Sequence, residues 1–237
     1  MKFSTTVFLG PVSRELVMPA LTAALAPFDY NGEIREPFDP NAVWDRWWLP
    51  RTNRLPLRPE RAGDVRALRV DGDDRERAAV AAPKGIIDFE ALRRSARDYA
   101  AAGWDAWAGV VRAHPAPLPL AHFEAVYADE PGQAQREWPA QPAVQEVARH
   151  AETQEHPYFT FSLLTADPVA VFAGDREHYL AGIAAQAVAT YAYVTLDGQW
   201  LTQFTDDRGW PAHVREMDRY LDSVPDDCVI ASVQCHM

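Results

Sequence analysis

The chain has 237 residues, 48% of them apolar and 24% charged, which places it among ordinary globular proteins and outside the disordered class. Its formal charge of −11 disfavours generic binding to nucleic acid or to an anionic membrane, because each phosphate contact needs a cationic partner. Lys2 and Lys84 are the only lysines, a bias that fits a GC-rich coding sequence and leaves few amines for Schiff-base chemistry.

Residues 3 to 9 are β-branched and aromatic in character and are closed by Gly10-Pro11, which predicts a strand. Ser13 stands where a cap belongs, ahead of a helix through Leu16, Val17, Leu21 and Leu25 that ends at Pro27. Pro19 removes one backbone hydrogen bond from that helix, so a start near Met18 fits better. Residues 37–85 read as a Pro/Trp/Arg-rich insertion. Pro37, Pro40, Pro50, Pro56 and Pro59 break regular structure there while Trp44, Trp47 and Trp48 concentrate aromatic surface. From Arg46 to Arg69 seven arginines face Glu60 and Asp64, a local +5 that leaves −16 for the rest. Asp71-Gly-Asp-Asp74 reads as a solvated turn, and Asp88 then caps a long helix whose apolar face carries Phe89, Leu92, Ala96, Ala100, Gly103, Trp107 and Val110.

Residues 114–142 hold six prolines, from Pro115 to Pro142, and read as a loop over the surface. A short helix over 143–151, a weakly alternating strand over 158–164 and a helix capped by Asp175 follow. Asp197-Gly198 suits a two-residue type I′ turn between two strands. That turn would pair Leu196 with Gln199, placing Tyr191, Tyr193, Trp200 and Phe204 on one face and Val194, Leu196 and Leu201 on the other. A final helix opens at Pro211 and stops before Pro225, and residues 228–237 form the last strand. Cys228 and Cys235 lie seven residues apart on it, about 23 Å, and cannot pair. With no leader and no long apolar run, two unpaired cysteines point to a reducing, soluble compartment, the cytoplasm.

Several segments carry a family resemblance: Tyr191-Ala-Tyr-Val, Asp197-Gly-Gln-Trp200, Gly209-Trp210, Val224-Pro-Asp-Asp-Cys228 and Val233-Gln-Cys-His236. Leu25-Ala-Pro-Phe-Asp29, Trp44-Asp-Arg-Trp-Trp48 and Ile87-Asp-Phe-Glu-Ala-Leu92 extend it over most of the chain. In these the chain resembles a group of uncharacterised proteins from actinobacteria and their phages, which implies no activity. It departs from that pattern at Leu49-Pro-Arg-Thr-Asn-Arg54, where the group has a glycine-bearing loop, and at Gln234, where the group has an acid.

Catalytic signals are sparse. The histidines show no HExxH, no i, i+4 pair and no accompanying Cys-x-x-Cys, so no clustered metal ligands and no cofactor are implied. No serine sits in a Gly-x-Ser-x-Gly elbow, and no Gly-rich phosphate loop precedes Lys84. His236, on the strand face of Ile230, Ser232 and Gln234, is the candidate general base, with Asp88 or Asp45 as its carboxylate. Trp44, Trp47 and Trp48 beside Arg51 and Arg54 form a candidate site for a planar or anionic ligand, through stacking and bidentate hydrogen bonds.

The expected architecture is one α+β domain over 1–237, with a mostly antiparallel sheet, helices on one face and a long irregular middle insertion. The order strand, helix, hairpin, helix, strand fits a ferredoxin-like core. The expected function is binding of a small ligand or a protein partner through the aromatic sheet face, formed by Tyr191, Tyr193 and Trp200, and the Trp/Arg loop. The alternative is acid-base chemistry by His236 on an anionic substrate.

Overall fold

The computed structural model describes residues 2–31, 43–52, 54–71, 76–153, 166–203 and 209–236. In chain order it holds β1 (Lys2–Leu9), α1 (Val17–Leu25), β2 (Arg46–Trp48), β3 (Leu55–Pro56), β4 (Ala78–Ala79), β5 (Ala81–Pro83) and α2 (Phe89–Ala113). Then come α3 (Leu120–Val126), α4 (Pro131–Glu137), α5 (Pro142–Thr153), α6 (Pro168–Val171), α7 (Arg176–Gln186), β6 (Ala192–Val194), β7 (Trp200–Thr202), α8 (Gly209–Ser223) and β8 (Val229–His236). The expected strand over 158–164 and Phe204 lie outside the described residues. Among the described residues no helix is long and apolar enough to cross a membrane.

Where one domain was expected, the chain divides into two compact units, Met1–Arg93 with Ala185–Met237, and Arg94–Ala184. The first unit is α+β, and its sheet has the order β2-β8-β1-β6-β7, with β5 also on β8. The sheet is mostly antiparallel. Its spine is an unbroken eight-residue pairing of β1 with β8, from Lys2 opposite His236 to Leu9 opposite Val229. β1 runs parallel to β6, with Thr5 opposite Ala192 and Val7 opposite Val194. That parallel neighbour is where the wiring departs from a ferredoxin-like core, whose adjacent strands are all antiparallel.

Strand alternation sorts the side chains of β1 and β8 into two sets. Phe3, Val7, Leu9, Val229, Ala231, Val233 and Cys235 join α1 residues Val17, Leu21 and Leu25 in one buried cluster. Phe8 and Ile230 join Met217 and Leu221 of α8, with Phe89 and Leu92 of α2 packed alongside, in another. Helices therefore cover both faces, which corrects the one-sided expectation: a central strand pair that is apolar on each side needs two layers. We call the two sides the α1 face and the α8 face.

Local chemistry sets the helix ends. Pro19 falls in the first turn of α1, where its missing N–H has no partner to lose, after a short 3-10 turn over Arg14–Leu16. Asp88 Oδ1 accepts from the Ala91 N–H at 2.9 Å and caps α2. Lys84 Nζ donates to the Val224 and Asp222 carbonyls at 2.6 and 3.1 Å, holding the C-terminal end of α8. Arg93 bonds Glu90 at 2.6 Å and Asp218 at 2.5 Å, tying the start of α2 to α8.

The 37–85 segment is more than an insertion loop. β2 and β5 extend the sheet along β8, and β3 pairs with β4 in a separate ribbon. The second unit overturns the loop expected over 114–142, which holds α3, α4 and a 3-10 turn at Trp138–Ala140. Its prolines start helices instead of breaking them, with Pro119 at an N-cap and Pro131 in a first turn, positions whose N–H needs no intrahelical partner. Trp107 stacks on Phe172 at 5.6 Å in that unit's core, beside Trp104, Val147 and Tyr179.

The hairpin forms with a different register from the one expected. Gly198 N–H donates to the Thr195 carbonyl at 3.0 Å and Thr195 N–H to the Gln199 carbonyl at 3.0 Å, so the loop has three residues and Val194 faces Trp200. Gly198 has φ +81°, the left-handed position that closes such a loop. Tyr193 therefore pairs with Leu201 on the α8 face, while Trp200 goes to the α1 face. One residue of slip exchanges the faces of a whole strand. Gly198→Ala should destabilise the protein by about 1 kcal/mol through the strained φ, read as a lowered urea midpoint, while Leu196→Ala at the exposed tip should shift it far less.

Candidate functional site

The α8 face changes character along its length. Phe8 and Ile230 are apolar and covered, but Thr6 opposite Ser232 and Ser4 opposite Gln234 turn the floor polar, and Lys2 opposite His236 ends it in charge. Over the hydroxyl-bearing stretch lies a cleft of about 220 Å³. Ser4, Thr6, Thr190 and Ser232 form its polar part, Phe89, Leu92, Met217 and Leu221 its apolar walls, and Arg54 stands at its rim.

The floor is built. Thr190 Oγ1 lies 2.7 Å from the Ala192 carbonyl, to which it donates, and 3.0 Å from Thr6 Oγ1. His213 Nε2 approaches the Thr190 carbonyl at 2.8 Å and fixes that turn from α8. Gln234 Nε2 donates to Ser4 Oγ at 2.8 Å, leaving the Ser4 proton free to donate. Thr6 and Ser232 are buried, at 7% and 5% exposure. Buried hydroxyls beside open space can exchange hydrogen bonds with a ligand, while the walls take its apolar part. Among the described residues Arg54 has no carboxylate partner, so its guanidinium can meet an anionic group.

The residues singled out in the sequence disperse. Trp44 is buried against Phe28, at 5% exposure, and Trp47 packs on the α1 face. Trp48 alone of the three shares a face with Gln234, opposite it across the strands. Arg51 is exposed in a bend, away from the cleft lining, whereas Arg54 belongs to it. Tyr191 and Trp200 pack against Phe3, with centroids at 4.8 and 6.3 Å. Tyr193 packs against Phe8 and Tyr220 on the other side, and burial pushes its phenol up to about 12. The single aromatic sheet face expected from the hairpin is thus corrected: its rings are core on two sides.

His236 does meet a carboxylate. Its Nδ1 lies 2.9 Å from Asp45 Oδ1, and the backbone joins in, Asp45 N–H donating to the His236 carbonyl at 2.9 Å. Asn31 Nδ2 donates to the Asp45 carbonyl at 2.7 Å and helps hold this corner. The side-chain bond from His236 holds the Asp45 carboxyl below its usual range. Asp88 is taken by its helix cap and belongs to a different place. Burial pushes the Cys235 thiol up to about 11, which makes it a packing group and no nucleophile at neutral pH.

Ser4, Thr6, Thr190 and Ser232 escaped the sequence reading. The available signal was polar residues two apart in two long strands, Ser4 and Thr6 in one and Ser232 and Gln234 in the other, where a fully covered strand would be apolar on both sides. Among the described residues no group of three or more His, Cys, Asp or Glu could hold a metal ion. Compared with known proteins, the chain matches no family model, no curated protein and no solved structure.

The Asp45 bond has a pH signature. A carboxyl held down in the folded state contributes its stabilisation above its ordinary pKa and loses it as pH falls through the lowered one. Carbon-detected NMR titration should place the Asp45 midpoint below that of an exposed aspartate, and His236→Ala should move it back up.

Proposed function

We propose that this chain is a ligand-binding protein, and that its ligand is a small amphipathic molecule with one anionic group. The apolar part fits between Phe89, Leu92 and Leu221, the hydroxyl floor pairs its polar edge, and Arg54 meets the anion. The observation that carries this reading is one cleft that joins a hydroxyl-bearing floor, with Thr6 and Ser232 buried, to an arginine that has no carboxylate partner among the described residues. The Trp/Arg loop keeps part of its expected role through Arg54, while the aromatic sheet face gives way to the hydroxyl floor. Two free cysteines, both buried, support a cytoplasmic setting. The resemblance to actinobacterial and phage proteins adds no activity to this reading.

A second reading, acid-base chemistry, has one observation in its favour. The imidazole of His236 is oriented by Asp45 at 2.9 Å, the pairing a general base requires. Binding ranks first because His236, Asp45 and Asp88 are all absent from the cleft lining.

The test is a screen of small apolar carboxylates and phosphates by ligand-observed NMR. A hit should bind at least about tenfold more weakly to Arg54→Ala, the loss expected for one charge-assisted contact. Ser232→Ala should weaken it by a smaller factor, with melting temperatures near that of the parent. Equal binding by Arg54→Ala, or weakening that merely tracks a fall in melting temperature, would remove the cleft from consideration.

A further inference from the structure

At the charged end of the α8 face three basic side chains stand in one row. Lys2 on β1 and Arg46 on β2 are both directly opposite His236 on β8, one on either side, so all three project from the same face. Neighbouring strands lie about 4.8 Å apart, so the two cations of Lys2 and Arg46 stand two strand spacings apart on one face, close enough to repel. The row needs a counterweight. Trp48 supplies part of it: Lys2 Nζ and Arg46 Cζ lie over its ring, 5.9 and 6.0 Å from the centroid. The Asp45 carboxylate is already engaged by His236 Nδ1. Among the described residues no carboxylate forms an ion pair with Lys2 or Arg46.

An indole that gathers two cations from two different strands, beside a histidine whose Nε2 is left open by Asp45, defines a small concentration of positive charge on a chain of −11. We propose that this corner is an anion-binding site for the phosphate group of a small phosphomonoester, clasped between Lys2 and Arg46. Phosphate suits it because a dianion offsets at once the two cations that meet over Trp48, and guanidinium and ammonium are both donors without acceptor capacity. A small ester is favoured over a nucleic acid because three basic groups cover a single phosphate, while the remaining surface repels an extended polyanion. The site is separate from the cleft bounded by Arg54, and it stands whether or not His236 moves a proton.

The experiment is an NMR titration with inorganic phosphate and with phenyl phosphate at constant ionic strength. Resonances of Trp48 and His236 should shift saturably, and Arg46→Ala or Lys2→Ala should each weaken binding at least about tenfold. Arg58→Ala, an exposed arginine elsewhere, and Arg54→Ala in the cleft should leave it unchanged. Failure of the cleft reading and failure of this one are therefore read separately. Parent protein without a saturable shift, or Arg46→Ala binding as well as the parent, would overturn the proposal. So would a short single-stranded oligonucleotide that binds more tightly than phenyl phosphate.

Discussion

The antiparallel register between β1 and β8 is the constraint from which the remaining features follow. Eight consecutive pairs lock Lys2 to His236 and Leu9 to Val229, so every side chain on either strand is assigned a face. Each such assignment is expensive to change, because a slip of one residue would send Phe3, Val7 and Val233 out of one core and Ser4, Thr6 and Gln234 into it. The α1 face is apolar but for the buried Thr5, which suits a helix carrying Val17, Leu21 and Leu25. The α8 face is apolar at Phe8 and Ile230, then hydroxyl-bearing, then charged. α8 and the first turn of α2 cover the apolar end, held in place by Arg93 against Asp218 and by Lys84 on the α8 terminus. The cleft sits where that cover meets the hydroxyls.

The two proposed sites differ in how they meet water. In the cleft, Thr6 and Thr190 already share a hydrogen bond and the Gln234 amide holds Ser4, so a ligand needs to replace few such bonds and gains the apolar walls as well. At the strand ends, charge is exposed and each ion pair is worth little by itself. What makes the corner distinctive is the shared indole, since a ring that both cations approach limits where they go and reduces the freedom an anion would have to remove.

Much of the scaffold was legible in the sequence. β-branched and aromatic residues closed by Gly10-Pro11 announced β1, the run after Cys228 announced β8, and a cap followed by a long periodic face announced α2, which Asp88 does cap. The pairing of His236 with a carboxylate was also within reach as a possibility, although the choice between Asp45 and Asp88 depended on strand pairing that no local pattern encodes. Two misreadings have physical causes. Asp197-Gly198 suits more than one hairpin loop, and whether glycine closes a two-residue or a three-residue turn is decided by packing of Tyr193 against Phe8 and of Trp200 against Phe28. Proline reads as a breaker when counted by density, yet at a first turn it is compatible with helix, as Pro131 and Pro142 demonstrate. The hydroxyl floor was missed because polar residues two apart in a strand mark a face but no site until two such strands are set side by side.

The border of the sheet has its own consequence. β8 meets β2 at its last three residues and β5 at its first three, with the Ser232 N–H bonded to the Val80 carbonyl at the changeover. β7, on the opposite margin, is also three residues long. A second molecule seeking to dock by strand addition would find only brief, interrupted templates on either side, with Arg46 at one of them. The two long strands lie at the centre, paired with each other over eight residues, with β2 and β5 on the far side of β8 and β6 against Thr5 to Val7 of β1. Segmentation of the rim thus acts as a safeguard against self-assembly.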